Sequence, residues 1–344
     1  MTDTLKTILR FDHWIHPEMT ARFSRAPDVE LVTLNQADTE ASWLAFGAAH
    51  AYQISSARDE LLEQWWATET LLNRAPHLLC VSASGAGYDT IDVDACTNHG
   101  VIVVNQAGGN ARSVAEHTLG LILDLSKRIS ETDRYLREAR GRNREDLMGR
   151  EIAGRTLGLI GFGNVGRQVC RLARAFEMRV IATDPFVDST AISKLGGEKV
   201  TLEHLLSHAD FVSVHCPRDQ STTGLIGAEA LAKMKRGAIL ITTARGGIHD
   251  EFALAAALES GHLGGAGLDV WDVEPPPLDH PLLGRENVVA TFHTAGVTQE
   301  ARRRMARIAS DQLIEVLQGK RPSRLINPEV WPRYWERYTQ IMGN

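Results

Sequence analysis

Short apolar runs alternate with helical stretches over most of the chain. In the second half, runs at 157–161, 179–183, 211–215, 238–242, 265–269 and 288–292 predict six strands. Residues 164–176, 201–208 and 252–260 carry helical patterning between them. Strands that are apolar almost throughout are covered on both faces, and short crossovers between them favour a parallel, doubly wound sheet. The first hundred residues predict a second α/β unit, with strands at 7–11, 51–54, 78–82 and 101–105 and a helix at 59–73. A long helix is expected over 111–130, with Val114, His117, Leu121 and Leu125 near one face. An arginine-rich segment, 134–150, leads into the second unit, and a final helix over 298–317 returns to the first. The expected fold is therefore α/β, with two Rossmann- or flavodoxin-like domains. A dinucleotide domain (109–298) is inserted into a discontinuous substrate domain (1–108 and 299–344).

The most specific local pattern lies in that inserted domain. The run at 157–161 leads into Gly161, Gly163 and Gly166, then a helix, then a second strand that ends at Asp184. A glycine triplet alone is weak, but strand, helix, strand and terminal acid stand where a dinucleotide site requires them. Gly161 allows the tight turn, Gly163 lets the backbone approach a pyrophosphate, and Gly166 lets helix and strand pack closely. The N–H groups around Asn164 and Val165 then face the phosphates at a positive helix end. Asp184 lies 18 residues beyond Gly166. A carboxylate there accepts from ribose hydroxyls and repels a 2′-phosphate, which favours NAD over NADP.

Composition narrows the class. A chain of 344 residues calls for two domains, and its 43% apolar and 23% charged residues are ordinary for a globular protein. A net charge of −6 without a basic stripe argues against nucleic acid. The four cysteines (Cys80, Cys96, Cys170, Cys216) show neither a C-x-x-C nor metal spacing, so no metal is expected. The first residues, Met-Thr-Asp-Thr-Leu-Lys, lack the layout of a signal peptide, and no apolar run suits a bilayer span. A cytoplasmic protein with no membrane partner is expected.

Ligands of open α/β sheets sit beyond the carboxyl ends of the strands. Thr243, Ala244 and Arg245 follow the fourth predicted strand of the second unit. Asp269 and, five residues on, Glu274 follow the fifth, and His293, Ala295 and Gly296 follow the sixth. A guanidinium, a carboxylate and an imidazole at neighbouring strand ends suit hydride transfer at C2 of a 2-hydroxy or 2-oxo acid. Arginine offers a planar fork for the substrate carboxylate. Histidine exchanges a proton in either direction near neutrality. Glu274 on the far ring nitrogen of His293 would orient it.

These motifs, in this order and spacing, resemble the D-isomer-specific 2-hydroxyacid dehydrogenase family over nearly the whole chain. The resemblance implies that Arg245 binds substrate, Glu274 orients, and His293 donates or accepts the proton. It implies that Asp269 holds the nicotinamide carboxamide and that Thr243 and His215-Cys216-Pro217 line the cofactor, with Val114 touching it. It places the substrate carboxylate on the N–H groups of Ala86 and Gly87, in a glycine-rich turn that forms an anion nest. It implies a two-fold homodimer through the long helix. Phe292 stands where relatives usually have proline.

The substrate is less legible. Relatives acting on phosphoglycerate carry arginines just after the second strand of the first domain, where this chain reads Gln53-Ile54-Ser55-Ser56-Ala57-Arg58. Phosphoglycerate dehydrogenase therefore remains an alternative to a reductase of glyoxylate, hydroxypyruvate or a larger 2-oxo acid. So does a NAD-sensing protein like the corepressors that share this fold. Aromatic residues crowd the expected substrate mouth: His13, Trp14 and His16 after the first strand, Trp65 and Trp66, and Trp331, Tyr334 and Trp335 near the end of the chain.

Overall fold

A computed structural model of the chain describes residues 5–138, 141 and 143–343. The extreme start read above for a leader, residues 1–4, and positions 139, 140 and 142 of the arginine-rich segment lie outside the described residues. Contacts divide the chain into two compact units, Met1–Asn110 with Val297–Asn344, and Ala111–Gly296.

In the first unit, strands β1 (Lys6–Phe11), β2 (Val29–Leu34), β3 (Ala51–Ser55), β4 (Cys80–Ser84) and β5 (Ile102–Val104) form a parallel sheet. Their order is β2-β1-β3-β4-β5, a flavodoxin-like arrangement. Helices α1 (Glu18–Phe23), α2 (Thr39–Phe46), α3 (Glu69–Arg74) and α4 (Val93–Asn98) connect the strands. One face packs Phe11, Phe46, Tyr52, Trp65 and Leu71 into a core. The expected single helix over 59–73 is not formed. A 3-10 turn at Glu63–Trp65 is separated from α3 because Ala67 pairs with Ile91 as a parallel bridge. The Ala67 N–H donates to Thr90 O and its carbonyl accepts from Asp92 N, so extended pairing satisfies this backbone in place of a helix. Trp65 is fully buried in the core and lines no mouth.

The second unit opens on α5 (Ala111–Lys127) and α6 (Ile129–Glu138). The expected helix over 111–130 breaks at Arg128, which takes φ 57°. The Asp124 carboxylate caps the new helix, accepting from Ser130 N at 2.7 Å and Ser130 Oγ at 2.5 Å. Strands β6 (Thr156–Ile160), β7 (Arg179–Thr183), β8 (Gly197–Lys199), β9 (Phe211–Val214), β10 (Ile239–Thr242), β11 (Gly265–Leu268) and β12 (Val288–Ala290) form seven parallel strands, one more than expected. The unforeseen β8 reads Gly-Glu-Lys, a short charged edge strand with no apolar signal. Helices α7 (Asn164–Ala175), α8 (Ser189–Ser193), α9 (Leu202–His208), α10 (Ala228–Lys233) and α11 (Glu251–Glu259) lie between the strands. The order β12-β11-β10-β9-β6-β7-β8 reverses direction at β6, which creates a switch point beside the glycine turn.

The chain then returns to the first unit as α12 (Gln299–Leu317), capped by the Thr298 hydroxyl, and α13 (Trp331–Met342). Both pack on the face of that unit's sheet that carries Ile8, Ala51, Cys80 and Ile102. Tyr334 and Tyr338 are buried there, and their hydroxyls donate to Val316 O and Leu317 O. The two tyrosines of the aromatic tail are thus core packing in the first unit, Trp331 is half-buried against them, and Trp335 is exposed.

Candidate active site

The glycine turn is built as its spacing demands. β6 ends at Ile160, and Gly161 turns with φ 96°. A Cβ there would lie 2.7 Å from Cys216 N, so the exit of β9 runs against this backbone. A Cβ at Gly166 would lie 2.3 Å from Gly161 O. At Gly163 a Cβ would meet nothing within 4 Å, which leaves the space in front of the turn open. The first hydrogen bond along α7 is Arg167 N to Gly163 O, so the N–H groups of Asn164, Val165 and Gly166 precede the helical ladder. We expect Gly166→Ala to push α7 off β6 and to weaken NADH binding at least about tenfold, because overpacking against backbone costs about 1–3 kcal/mol. Fluorescence titration measures this, and unchanged affinity would refute it.

Asp184 follows β7. Its Oδ2 accepts from Phe162 N at 2.7 Å, and its Oδ1 accepts from Phe186 N and Val187 N at 2.8 and 3.2 Å. The carboxylate therefore steers the glycine turn and has lone pairs left over. Across the switch point, His215 Nε2 lies 2.9 Å from Ser213 Oγ, and burial pushes the imidazole down to about 3, so it stays neutral. Burial pushes the neighbouring Cys216 thiol up to about 11, and Pro217 follows it at the surface.

Three adjacent strand ends carry His293, Glu274 and Arg245. After β12, His293 adopts φ 52°, a left-handed conformation that non-glycine residues seldom take. Asp269, after β11, holds it there. This carboxylate is fully buried, and it accepts from Thr291 Oγ1 (2.6 Å), Thr294 N (2.8 Å) and Ala295 N (2.9 Å). The Asp269 carbonyl accepts from His293 N at 2.7 Å. His117, on α5, places Nε2 3.2 Å from Thr291 Oγ1. The imidazole Nδ1 of His293 lies 2.8 Å from Glu274 Oε2, while Glu274 Oε1 accepts from Trp271 N at 3.0 Å. Glu274 thus engages Nδ1, and Nε2 is the ring nitrogen outside this pair.

Burial pushes the Glu274 pKa up. The His293 hydrogen bond and charge, the Trp271 N–H and the Arg245 charge together outweigh it, so the net shift is down. A depressed carboxylate contributes stability above its unfolded pKa and loses it as pH falls through the folded value. We therefore expect the stability advantage of wild type over Glu274→Gln to shrink on acidification below about pH 5, as followed by urea denaturation. A constant difference down to acid pH would contradict this.

Arg245 follows β10. Its Nη1 donates to Ala244 O at 2.7 Å, and its charge acts on Glu274. The backbone behind it is packed without slack, since a Cβ at Gly246 would lie 1.9 Å from Trp271 O. Gly247 N donates to Asp272 Oδ1 at 2.6 Å, and Asp272 N to Glu251 Oε1 at 2.8 Å. Glu251 Oε2 meets His280 Nε2 at 3.1 Å, both side chains being buried. This relay ties the arginine loop to the glutamate loop. Thr243 is buried, 3.3 Å from Thr118 Oγ1 on α5, and Val114 lies one turn earlier on that helix, also buried. Gly296 closes the unit.

Sequence reasoning brought Arg245, Glu274 and His293 together but missed the groups that hold them. Thr291, Thr294, His117, Glu251, Asp272 and His280 are ordinary polar residues whose partners lie far along the chain. Only the threonines flanking His293 offered a local hint. Phe292 is 81% exposed and takes no part in the network.

In the first unit, Gly85 takes φ 112° after β4. Its N–H donates to Gln106 Oε1 at 2.6 Å, and Asn105 Nδ2 donates to Ala86 O at 2.7 Å. The N–H groups of Ala86 and Gly87 donate to no acceptor among the described residues. No group of three or more His, Cys, Asp or Glu among the described residues could hold a metal.

Residues 119–295 match the family model described as "D-isomer specific 2-hydroxyacid dehydrogenase, NAD binding domain". The chain belongs to this family. It is 41% identical over 259 residues to a glyoxylate reductase of Korarchaeum cryptofilum, covering 74% of this chain and 78% of that one. It is 39% identical over 267 residues to a D-3-phosphoglycerate dehydrogenase of Archaeoglobus fulgidus, covering 77% of this chain and 50% of the other. The chain thus spans about half the length of the phosphoglycerate dehydrogenases it matches. Among solved structures, a glyoxylate reductase from Paecilomyes thermophila superimposes with a TM-score of 0.84 at 26% identity, over 94% of this chain and 98% of that one. The α/β fold, the NAD-binding second unit and the family follow from these matches together with the two parallel sheets.

Proposed function

We propose that the protein interconverts a D-2-hydroxy acid and its 2-oxo acid with NAD. The observation that carries this reading is the 2.8 Å contact between His293 Nδ1 and Glu274 Oε2 at the carboxyl edge of the second unit's sheet. When bound, NADH supplies a hydride to C2. His293 Nε2 donates a proton to the 2-oxygen during reduction and takes one back during oxidation. Glu274 keeps Nδ1 protonated and stabilises the imidazolium. Arg245 clamps the C1 carboxylate and polarises the carbonyl. The N–H groups of Ala86 and Gly87 are assigned to the same carboxylate, which suits their lack of protein acceptors. Asp269 is assigned to the carboxamide of the nicotinamide, in addition to its hold on the His293 loop.

The second unit fits NAD on its own geometry. The ladder-free N–H groups at the start of α7 and the open face of Gly163 suit a pyrophosphate, and Asp184 suits ribose hydroxyls. His215, Cys216, Pro217, Thr243, Ala244 and Val114 are assigned to the cofactor's flank. We expect NADH to be preferred over NADPH by at least about 100-fold, with Asp184→Ala narrowing the gap by removing the charge that opposes a 2′-phosphate. Steady-state rates with both cofactors and a panel of 2-oxo acids test the cofactor and the reaction together. No turnover of any acid would end the reading.

We further infer a homodimer. Helix α6 buries none of its side chains, and Ile129, Leu136 and Met148 are 55%, 69% and 71% exposed. Sedimentation of Leu136→Glu against wild type tests this. No described helix is long and apolar enough to cross a membrane. All four cysteines are free thiols, which suits a reducing, cytoplasmic setting.

A further inference from the structure

The first unit buries a cation without an acid. Arg10, on β1, is 6% exposed. Its Nη1 donates to Thr33 Oγ1 at 3.3 Å and its Nη2 to the carbonyl of His13, while its Nε has no partner. No ion pair engages it among the described residues, and burial lowers its pKa more than the charge of Asp12 restores it. Buried arginines are ordinarily paired, and an uncompensated one costs several kcal/mol.

Other unsatisfied groups lie around it. Strand register sets Arg10 beside Gln53 of β3, and Gln53 beside Ser82 of β4. Gln53 is 1% exposed, with Nε2 donating to Ser84 Oγ at 2.8 Å and Oε1 unpartnered. His13, just past β1, has a buried and unpartnered Nε2, and Arg302 in the first turn of α12 has a buried and unpartnered Nε. His13 feels the charges of Arg10, Glu60, Arg302 and Asp12. The two acids do not fill the deficit. Both are exposed to water, and Glu60 Oε2 accepts from Ser55 Oγ at 2.6 Å. Two guanidinium groups and an imidazole thus share one neighbourhood, with three donor-capable nitrogens unsatisfied. It lies at the carboxyl edge of the sheet, the edge that also presents the Ala86–Gly87 turn after β4. Ligands of open parallel sheets bind at this edge.

We propose that Arg10, His13 and Arg302 form a second anion subsite that receives the distal carboxylate or phosphate of a dianionic 2-oxo or 2-hydroxy acid. The proposal rests on the oxidoreductase reading above and narrows its substrate class. A 180° rotation of the Gln53 amide lets Ser84 donate to Oε1 and turns the NH2 group towards the anion. Arg58 is not part of this cluster, since its guanidinium lies over the Trp66 ring at 5.4 Å.

Rates with NADH are to be measured for 2-oxoglutarate, oxaloacetate and phosphohydroxypyruvate against pyruvate and glyoxylate. Wild type is compared with Arg10→Met and Arg302→Gln. Methionine keeps the stem volume, and removing an unpaired buried charge does not threaten the fold. The ratio of kcat/KM for the best dianionic acid over pyruvate is expected to fall about 100-fold in Arg10→Met, as when one partner of a desolvated charge pair is removed. Ratios unchanged in both variants overturn the proposal. Thermal shifts with glutarate and with inorganic phosphate read the subsite without turnover and separate the two anion types. If no acid is turned over, the oxidoreductase reading fails. The subsite then stands only if either anion stabilises wild type and not Arg10→Met. With no such stabilisation it falls, and a buried water bridging Arg10 and Gln53 explains the geometry.

Discussion

Replacing His293 is expected to lower kcat for 2-oxo acid reduction by roughly 10³- to 10⁴-fold, through loss of proton transfer and of a donor to the carbonyl oxygen. The choice of replacement matters. His293 sits at φ 52°, where alanine costs about 1–2 kcal/mol and asparagine is tolerated. His293→Ala could thus relax the loop that Asp269 holds and lower the rate for the wrong reason. His293→Asn keeps the backbone, removes the titrating ring, and should show the same collapse in kcat. Near-normal rates in the asparagine variant would remove His293 from the chemistry. A collapse in alanine alone would make the residue structural.

The fold was legible where periodicity and burial agree. β6, β7, β9, β10 and β11 are nearly continuous apolar runs because both faces of the sheet are covered, and their predicted limits fall within a residue of those observed. Legibility failed where tertiary pairing overrode local preference. Residues 59–73 carry helical patterning, yet Ala67 is drawn into a bridge with Ile91. The long helix runs on in sequence past residue 127, yet Asp124 caps a new helix at Ser130 and Arg128 absorbs the turn. β2, Val-Glu-Leu-Val-Thr-Leu, alternates only loosely and was missed, although it pairs with β1 along its whole length.

The candidate site divides in the same way. Glycines at 161, 163 and 166 are readable because each answers a steric demand that a Cβ would violate or an open space that it would fill. Arg245, Glu274 and His293 are readable because they follow strands. The Asp269 clamp and the Glu251–His280 pair are not. A buried carboxylate declares itself only through its donors, and these are backbone N–H groups that carry no sequence signal, joined by the Thr291 and His280 side chains, which lie 22 and 29 residues from their partners.

Arg245 is expected to be the second most sensitive position. Arg245→Gln should lower kcat/KM by about 10³-fold, with most of the loss in KM, because glutamine offers neither the charge nor the paired donors that a carboxylate engages. Arg245→Lys should recover part of that, since a point charge attracts without fixing the plane of the acid. The packing behind this residue raises an alternative. Gly246 and Gly247 are wedged against Trp271 and Asp272, so a change at Arg245 could act by shifting the Glu274 loop. The pH profile separates the two. Arg245 helps to hold the Glu274 pKa down, as the weakest of four such causes. Loss of the charge should therefore raise the acid limb of kcat/KM slightly in Arg245→Gln and leave it in place in Arg245→Lys. A displaced Glu274 loop would instead break the His293 contact in both variants, which would collapse kcat and abolish the difference between lysine and glutamine. That outcome would leave Arg245 a structural residue and the substrate carboxylate without its fork.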